Sequence, residues 1–379
     1  MKRCAILGST GSVGVQALEL IAARPEAFRV STLTAYRSVD GLLEQVRQFS
    51  PDAICLVEGN GRDPNCPEAT AWFEGADGIL AALEASKPDI VLNAITGAAG
   101  LAASEWALAN RVPLALANKE SLVMAGSYLI QLSEENDTPI LPVDSEHCAI
   151  FQCMNGEERA AVRRIYLTGS GGPFRQRPID TFPDITPAEA LRHPTWDMGP
   201  RITIGSATMM NKAFEVLEAR WLFGLDAEQV EVVIHPQSIV HSMVEFVDGN
   251  IIAQLGVPDM RVPILYCLSY PSRAPFDFEP FDPARFANLT FEPVDTDRYP
   301  AIPLAYDTMR VGGDAGAVLN AADEVMTELF LDGKVSFPEI TETVAAVVQA
   351  HDVREITSLA DVRTADRDAR KAALGVAAR

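Results

Sequence analysis

The sequence predicts an α/β protein in three parts: an N-terminal domain of the Rossmann type, a central α/β domain, and a C-terminal helical bundle joined to the rest by an extended linker. Three observations support this class. A glycine-rich turn follows the first apolar run, short apolar runs then alternate with helical stretches, and only helical patterns remain after a proline-rich segment. With 379 residues the chain is too long for one ordinary core, and roughly two or three domains are expected. We place the parts at residues 1–143, 144–275, 276–300 (the linker) and 301–379.

The glycine-rich turn is Gly8-Ser9-Thr10-Gly11-Ser12-Val13-Gly14, between an apolar run at Cys4–Leu7 and a helical pattern at Val15–Ala23. Strand, glycine turn and helix in this order are typical of a dinucleotide pyrophosphate site, because glycines allow close backbone approach and the helix start supplies N–H groups. The spacing is G-x-x-G-x-x-G rather than the commoner G-x-G-x-x-G, so a purely structural turn is the alternative.

The second apolar run, Phe28–Ala35, ends in Tyr36-Arg37-Ser38. NAD enzymes usually carry an acid here for the ribose hydroxyls, whereas an arginine accommodates the 2′-phosphate of NADP. Arg37 and Ser38 therefore favour NADP, and a solvated surface arginine is the alternative.

The other apolar runs of the first domain, Ala53–Val57, Ile90–Asn93 and Pro113–Ala117, lack polar alternation, which is typical of parallel strands buried on both faces. The last of them is followed by Asn118-Lys119-Glu120-Ser121. Two interpretations are open. In the first, Asn118 or Ser121 caps a helix and Lys119 faces solvent. In the second, Lys119 reaches into the crevice at the strand ends.

Two carboxylates, a hydroxyl and an imidazole stand together in Asp144-Ser145-Glu146-His147, directly after the apolar run Pro139–Val143. If the segment is extended, Asp144 and Glu146 project to the same side. Two carboxylates aimed at one point suit Mg²⁺ or Mn²⁺. The alternative is an ordinary helix start that Asp144 or Ser145 caps.

Two later segments carry candidate anion-binding groups. A strand pattern at Arg163–Leu167 runs into a small-residue loop, Thr168–Phe174, in which backbone N–H groups and the Ser170 hydroxyl could form an anion nest. Further on, Ser206 precedes a helical pattern that begins at Ala207, and Asn211, Lys212 and Glu215 share one flank of that helix. An ordinary surface pair between Lys212 and Glu215 is the alternative, although Ser206 near the helix start favours an anion.

The segment His193-Pro194-Thr195-Trp196-Asp197-Met198-Gly199 has the composition of a mobile cover over a site. A plain surface loop with one packing tryptophan is the alternative. The C-terminal helices are predicted at Pro303–Met309, Ala315–Phe330, Phe337–Ala350 and Leu359–Leu374, with Ser336 and Glu339 as a capping box for the third.

The composition excludes several classes of protein. A formal net charge of −21 with no basic run argues against nucleic-acid binding. The six cysteines form no C-x-x-C pair, which favours a reducing, cytoplasmic environment and argues against a cysteine zinc site. The glycine turn interrupts the first apolar run too early for a signal peptide, and no segment reaches the roughly 18 apolar residues of a membrane helix.

Five of these motifs, in this order, make the whole chain closely resemble the 1-deoxy-D-xylulose 5-phosphate reductoisomerase family: Asn118–Ser121, residues 142–149, Leu167–Phe174, His193–Gly199 and Ser206–Glu215. The resemblance implies rearrangement of 1-deoxyxylulose 5-phosphate and its reduction to 2-C-methylerythritol 4-phosphate in isoprenoid precursor synthesis. It also implies NADPH, a divalent cation (Mg²⁺ or Mn²⁺, with Co²⁺ as a third candidate), a catalytic role for the central domain, and a homodimer.

The resemblance further implies roles for individual residues. The metal ligands would be Asp144, Glu146 and Glu215, and Lys119 would lie near the reacting carbons. Residues that would contact the substrate, its phosphate or the edge of its site are Ser145, Ser170, Ser206, Asn211, Lys212, His193, Trp196, Met198, His147 and His235. Residues that would bind NADPH are Gly8, Thr10, Gly11, Ser12, Val13, Arg37, Ser38, Asn118 and Glu120.

The sequence departs from the family pattern at three places. Gly205 stands where the family commonly has Asp, Cys148 where it often has Asn, and Tyr36-Arg37-Ser38 replaces a Gly-Lys-Asn type segment. The loss of an acid beside Ser206 bears most directly on the site. Two other classes of function stay open from the residues: a dehydrogenase that uses NADP without a metal, and a non-catalytic NADP sensor.

Overall fold

The computed structural model describes residues 1–192, 199–280, 282–284 and 286–378, in two compact units. In chain order the strands are β1 (Lys2–Leu7), β2 (Phe28–Ala35), β3 (Ala53–Leu56), β4 (Ala71–Glu74), β5 (Ile90–Asn93), β6 (Leu114–Leu116), β7 (Ile140–Pro142), β8 (Val162–Gly169), β9 (Val230–Ile234), β10 (Val240–Phe246), β11 (Ile251–Leu255) and β12 (Glu292–Pro293). The helices are α1 (Ser12–Ala22), α2 (Val39–Phe49), α3 (Ala76–Ser86), α4 (Leu101–Ala109), α5 (Lys119–Glu135), α6 (Ser145–Cys153), α7 (Pro187–Ala190), α8 (Pro200–Ala207), α9 (Met210–Phe223), α10 (Arg261–Ser269), α11 (Ala301–Val311), α12 (Ala315–Leu331), α13 (Phe337–Gln349) and α14 (Leu359–Ala377).

The first unit comprises Met1–Ser121, Leu129–Cys148 and Asp259–Asp277. Its sheet has seven parallel strands in the order β4-β3-β2-β1-β5-β6-β7. The order reverses between β1 and β5, so the loops after these two strands meet at the switch point where sheets of this type bind ligands. The edge strand β4 was not predicted, because its four residues are only half-buried and carry no clear pattern.

The second unit comprises Leu122–Tyr128, Ala149–Pro258 and Phe278–Arg379. Its mixed sheet has the order β11-β10-β8-β9-β12, in which β8 and β9 are parallel and the other pairs are antiparallel. Helix α12 packs against α13, α14 and α8. The α/β class and the helical C-terminal region are therefore confirmed, whereas the four-part division of the chain stays a prediction.

Two local predictions fared differently. The capping box of Ser336 and Glu339 at the start of α13 is confirmed. The helix predicted to begin at Ala207 begins instead at Met210, because Met209 before it is left-handed, with a φ of +61°. Helix α8 was not predicted, and Ser206 lies in its last turn instead of at a helix start. Within the described residues, no helix is both long and apolar enough to span a bilayer.

Candidate active site

The glycine-rich turn joins β1 to α1 with very little room for side chains. A Cβ on Gly8, whose φ is +76°, would lie 2.7 Å from the carbonyl oxygen of Ala94 in the loop after β5. A Cβ on Gly14 would lie 2.4 Å from the Gly8 carbonyl oxygen. Gly11 is the N-cap of α1 and makes no side-chain cap. The turn therefore exposes backbone groups and the N-terminus of α1, as a pyrophosphate site requires.

The loop after β2 lies beside this turn. A Cβ on Gly41 in α2 would be 2.9 Å from Ser38 Oγ and 3.4 Å from Thr10 Cγ2, so two of the predicted cofactor residues lie over the same glycine. Arg37 directly precedes Ser38, the N-cap of α2. The turn and the proposed 2′-phosphate residues thus form one continuous surface of the first unit.

Asn118 caps α5, as one of the two alternatives predicted. Its Oδ1 accepts a hydrogen bond from the Ser121 N–H at 2.9 Å, and its Nδ2 donates to the Gly97 carbonyl oxygen at 2.9 Å and to Glu120 Oε2 at 2.8 Å. The prediction that Lys119 then faces solvent is wrong, because its side chain is only 13% exposed and pairs with Asp144. Helix capping and placement of Lys119 beside an acid therefore occur together.

A buried polar network beneath this cap was missed by sequence reasoning. Asn93 Nδ2 donates to Ser104 Oγ at 2.8 Å, and Ser104 Oγ lies 2.9 Å from Ser121 Oγ. The available signal was a polar residue at the end of the apolar run Ile90–Asn93. The network ties β5, α4 and the start of α5 together.

The segment that carries Asp144 and Glu146 is not extended, and this part of the prediction is wrong. Ser145 begins α6, and Asp144 Oδ1 accepts from the N–H groups of Glu146 at 3.2 Å and His147 at 3.4 Å. It also lies 3.2 Å from His147 Nδ1. Asp144 therefore caps the helix, and the helix start rather than strand alternation sets the direction of the two carboxylates.

Glu215 and Lys212 form a buried pair on α9, so the surface-pair alternative is wrong. Glu215 is 1% exposed and Lys212 is 6% exposed. The Lys212 ammonium pairs with Glu215 Oε2, and Asn211 Nδ2 donates to Glu215 Oε1 at 2.9 Å. Removing two charges from water is costly unless they are paired, and such a pair is weak evidence for stability alone. The pair is therefore shielded from water, unlike a surface ion pair.

The other candidate phosphate residues gather around the same helix in the second unit. A Cβ on Gly169 would lie 3.1 Å from Lys212 Cε, so the lysine crosses the end of β8 beside Ser170. A Cβ on Gly172, whose φ is +65°, would lie 2.6 Å from the Ser206 carbonyl oxygen. Ser170 Oγ accepts from the Gly172 N–H at 3.3 Å. The small-residue loop thus packs directly on the last turn of α8.

Asp144 and Glu146 are half-buried in the first unit, and Glu215 is buried in the second. Three carboxylates supply the hard oxygen donors that Mg²⁺ and Mn²⁺ prefer, so this donor set fits such a cation. Each unit also places a lysine beside one of these acids: Lys119 pairs with Asp144, and Lys212 pairs with Glu215. That these acids bind metal stays a prediction.

The predicted histidines and the cover segment have different outcomes. His235 is buried, its Nε2 accepts from the N–H groups of Ile239 and Val240 at 3.1 Å, and its Nδ1 lies 2.8 Å from the Thr290 carbonyl oxygen. Burial lowers the pKa of His235, and the neutral ring holds the segment around Thr290 in place. His193, Trp196 and Met198 lie outside the described residues.

Comparison with known proteins gives one consistent result. A family model described as 1-deoxy-D-xylulose 5-phosphate reductoisomerase matches residues 4–126, and models of the C-terminal domains of these reductoisomerases match residues 140–223 and 255–372. The 1-deoxy-D-xylulose 5-phosphate reductoisomerase of Anaeromyxobacter sp. (strain K) is 47% identical over 378 residues, 98% of this chain and 96% of its own. That of Geobacter metallireducens is 46% identical over 379 residues, 98% of each chain.

Two solved structures are similar over the whole chain. The Zymomonas mobilis reductoisomerase in complex with NADPH has a TM-score of 0.91 and 38% identity, and the alignment covers 99% of this chain and 98% of that one. A reductoisomerase in complex with NADPH, fosmidomycin and magnesium has a TM-score of 0.93 and 36% identity, with 100% and 98% covered.

Proposed function

The chain belongs to the 1-deoxy-D-xylulose 5-phosphate reductoisomerase family, and on that premise we propose that Asp144, Glu146 and Glu215 hold the divalent cation of its reaction. The protein is an enzyme that uses NADPH and Mg²⁺ to rearrange and reduce 1-deoxy-D-xylulose 5-phosphate to 2-C-methyl-D-erythritol 4-phosphate. The two alternative functions, a dehydrogenase that uses NADP without a metal and a non-catalytic NADP sensor, are therefore set aside. Mn²⁺ is proposed as an alternative cation, because the same three carboxylates suit it.

The observation that carries the proposal is that three acids distant in the sequence are half-buried or buried instead of exposed. When bound, the cation acts as a Lewis acid toward the ketone and hydroxyl oxygens of the substrate. The Lys119 ammonium, which is mostly buried beside Asp144, is placed to stabilise negative charge on the reacting carbon skeleton. Because Lys119 is positioned by the helix that Asn118 caps, its location depends on the buried network beneath that cap.

The substrate phosphate is assigned to Ser170, Ser206, Asn211 and Lys212 of the second unit. A buried ammonium, an amide and two hydroxyls next to a glycine loop form a suitable anion site. Contacts with the phosphate, which does not react, position the carbons that do. His193, Trp196 and Met198 are proposed as the cover that excludes water from this site.

NADPH is assigned to the glycine turn with Arg37, Ser38, Asn118 and Glu120. The backbone of the turn can bind the pyrophosphate. Arg37 follows β2, the position at which an arginine accommodates the 2′-phosphate in NADP enzymes. Asn118 and Glu120 are hydrogen-bonded to each other at the end of β6. They bring the helix start of α5 to the same edge of the sheet.

The variant Glu215→Gln tests the metal assignment, because it preserves volume but weakens a hard anionic ligand. We expect the affinity for Mn²⁺, measured by electron paramagnetic resonance on the protein without substrate, to fall at least about tenfold. Even the mutation of residues that hydrogen-bond to metal ligands typically lowers metal affinity by that much. NADPH consumption should need correspondingly more Mg²⁺. The matched control is Glu218→Gln, which changes a buried acid on the same helix. Normal Mn²⁺ affinity in Glu215→Gln would contradict the ligand assignment.

A homodimer and a cytoplasmic location complete the proposal. β11 is an edge strand, and Ile251, Ile252 and Leu255 on it are 55%, 42% and 43% exposed. An apolar edge strand of this kind favours pairing with a second chain. The molar mass from light scattering tests the dimer. All six cysteines are free and buried, as is usual in a reducing compartment.

A further inference from the structure

We propose that Arg201 is a positioning residue for the substrate phosphate: it ties the first turn of α8 to α12 and thereby holds in place the helix that carries Ser206. The inference rests on the proposed phosphate role of Ser206. It concerns contacts within the second unit only.

Arg201 is bound by three polar side chains of α12. Its Nη1 donates to Glu324 Oε1 at 2.6 Å, and its Nη2 donates to Asn320 Oδ1 at 2.8 Å and lies 3.9 Å from Asp323 Oδ2. Positions 320, 323 and 324 lie on one face of a helix. The guanidinium therefore lies along a polar strip of α12, and Asn320 and Asp323 in that strip are buried.

The strip is held from its other side by α14. Arg370 pairs with Glu324 Oε2, and it also donates to both carboxylate oxygens of Asp366 at 2.8 and 2.9 Å. Burial alone would raise the pKa of Glu324, but the guanidinium groups of Arg201 and Arg370 outweigh it and lower that pKa below its usual range. Glu324 thus stays ionised and links α8 to the helical bundle through two arginines.

Local energetics do not explain Arg201 at this place. A cation in the first turn of a helix opposes the helix dipole and destabilises the helix. Helix α8 has only eight residues, which include Ile202, Thr203, Ile204 and Gly205, all poor helix formers. Helices of this length are marginal in isolation, so α8 depends on tertiary contacts. The contacts of Arg201 with α12 supply such an anchor at its N-terminal end.

The other end of α8 is where the anchor matters for substrate binding. Ser206 lies five residues beyond Arg201, which is about 7.5 Å along a helix axis. The Ser206 carbonyl oxygen faces Gly172, and a Cβ on Gly205 would lie 3.5 Å from the backbone nitrogen of Asn211. A shift of α8 therefore moves Ser206 relative to the glycine loop and to Asn211. Displacements of about 1 Å can cost about 100-fold in rate or binding.

The test is Arg201→Met, which keeps an unbranched side chain and removes the guanidinium. We expect the KM for 1-deoxy-D-xylulose 5-phosphate to rise about tenfold, while the KM for NADPH changes less than about twofold. Arg201→Lys should recover part of the loss, because an ammonium can still pair with Glu324. The matched control is Arg310→Met, which removes an exposed arginine that also contacts two acids, Glu228 and Asp307. The control should leave both KM values unchanged.

Several outcomes separate the inference from the proposed function. If Ser206→Ala leaves the substrate KM unchanged, the proposed phosphate site fails. If Ser206→Ala raises it but Arg201→Met does not, or if Arg201→Met raises both KM values equally, the positioning role alone is overturned. If Arg201→Met does not fold, Glu324→Gln, which weakens the same link with little change in volume, is measured in its place against the same expectation.

Discussion

Gly14 gives the sharpest test of the nucleotide-binding turn. A Cβ at this position would lie 2.4 Å from the Gly8 carbonyl oxygen, 2.5 Å from Ser9 Cα and 2.7 Å from the Ser9 carbonyl carbon. All three are backbone atoms, so no side chain can move aside. Since ordinary contacts of a Cβ begin near 3.4 Å, α1 and the turn must separate by about 1 Å in Gly14→Ala. Overpacking of this kind costs about 1–3 kcal/mol.

The same separation displaces the backbone that is assigned to the pyrophosphate. We therefore expect Gly14→Ala to lower the free energy of unfolding by about 1–3 kcal/mol in urea titrations followed by circular dichroism. We also expect the KM for NADPH to rise at least about tenfold, which corresponds to about 1.4 kcal/mol of lost binding.

Gly375→Ala is the matched control, because a Cβ there meets nothing within 4 Å and the position is also helical. It should leave stability unchanged or raise it by up to about 1 kcal/mol. A Gly14→Ala protein with wild-type stability and an unchanged KM for NADPH would refute both the close packing and the role of the turn.

Three further predictions concern other parts of the protein. Arg37→Ala should raise the KM for NADPH far more than that for NADH, and steady-state kinetics with equal effects on both would remove its 2′-phosphate role. Gly205→Ala should raise the free energy of unfolding in urea by about 0.5–1 kcal/mol, because its Cβ would make only ordinary contacts with Asn211 and alanine favours helix; a destabilised variant would contradict this. The pKa of Glu324 is lower in the folded protein, so its stabilising effect is complete above the unfolded value of about 4.3 and is lost as the pH falls through the folded value. The difference in unfolding free energy between wild type and Glu324→Gln should therefore shrink below about pH 4, and a difference that is constant with pH would contradict the ion pairs.

Local sequence patterns predicted the features that local chemistry decides. The strand, glycine turn and helix at the N-terminus depend on residues within one short segment, and so does the capping box before α13. The fold class followed as well, because short apolar runs without alternation indicate buried parallel strands. The resemblance carried by five ordered motifs predicted the family and its cofactors, which the comparisons then confirmed.

Other features depended on packing between distant segments, and local patterns could not predict them. The left-handed conformation of Met209 makes α9 begin at Met210 instead of at Ala207, and the preceding helix α8 was not predicted. The pair of Lys212 and Glu215 has the spacing of a surface ion pair, and only the burial of α9 shows its different character.

Local sequence patterns were enough to place most of the strands, helices and turns of the chain and to propose which side chains bear the chemistry. The tertiary structure decided which of those side chains meet. Periodicity and capping act over a few residues, whereas the pairing of Lys119 with Asp144 and of Arg201 with Glu324 joins groups 25 and 123 positions apart. Such contacts form only when separate apolar faces pack together and bring their polar groups out of water.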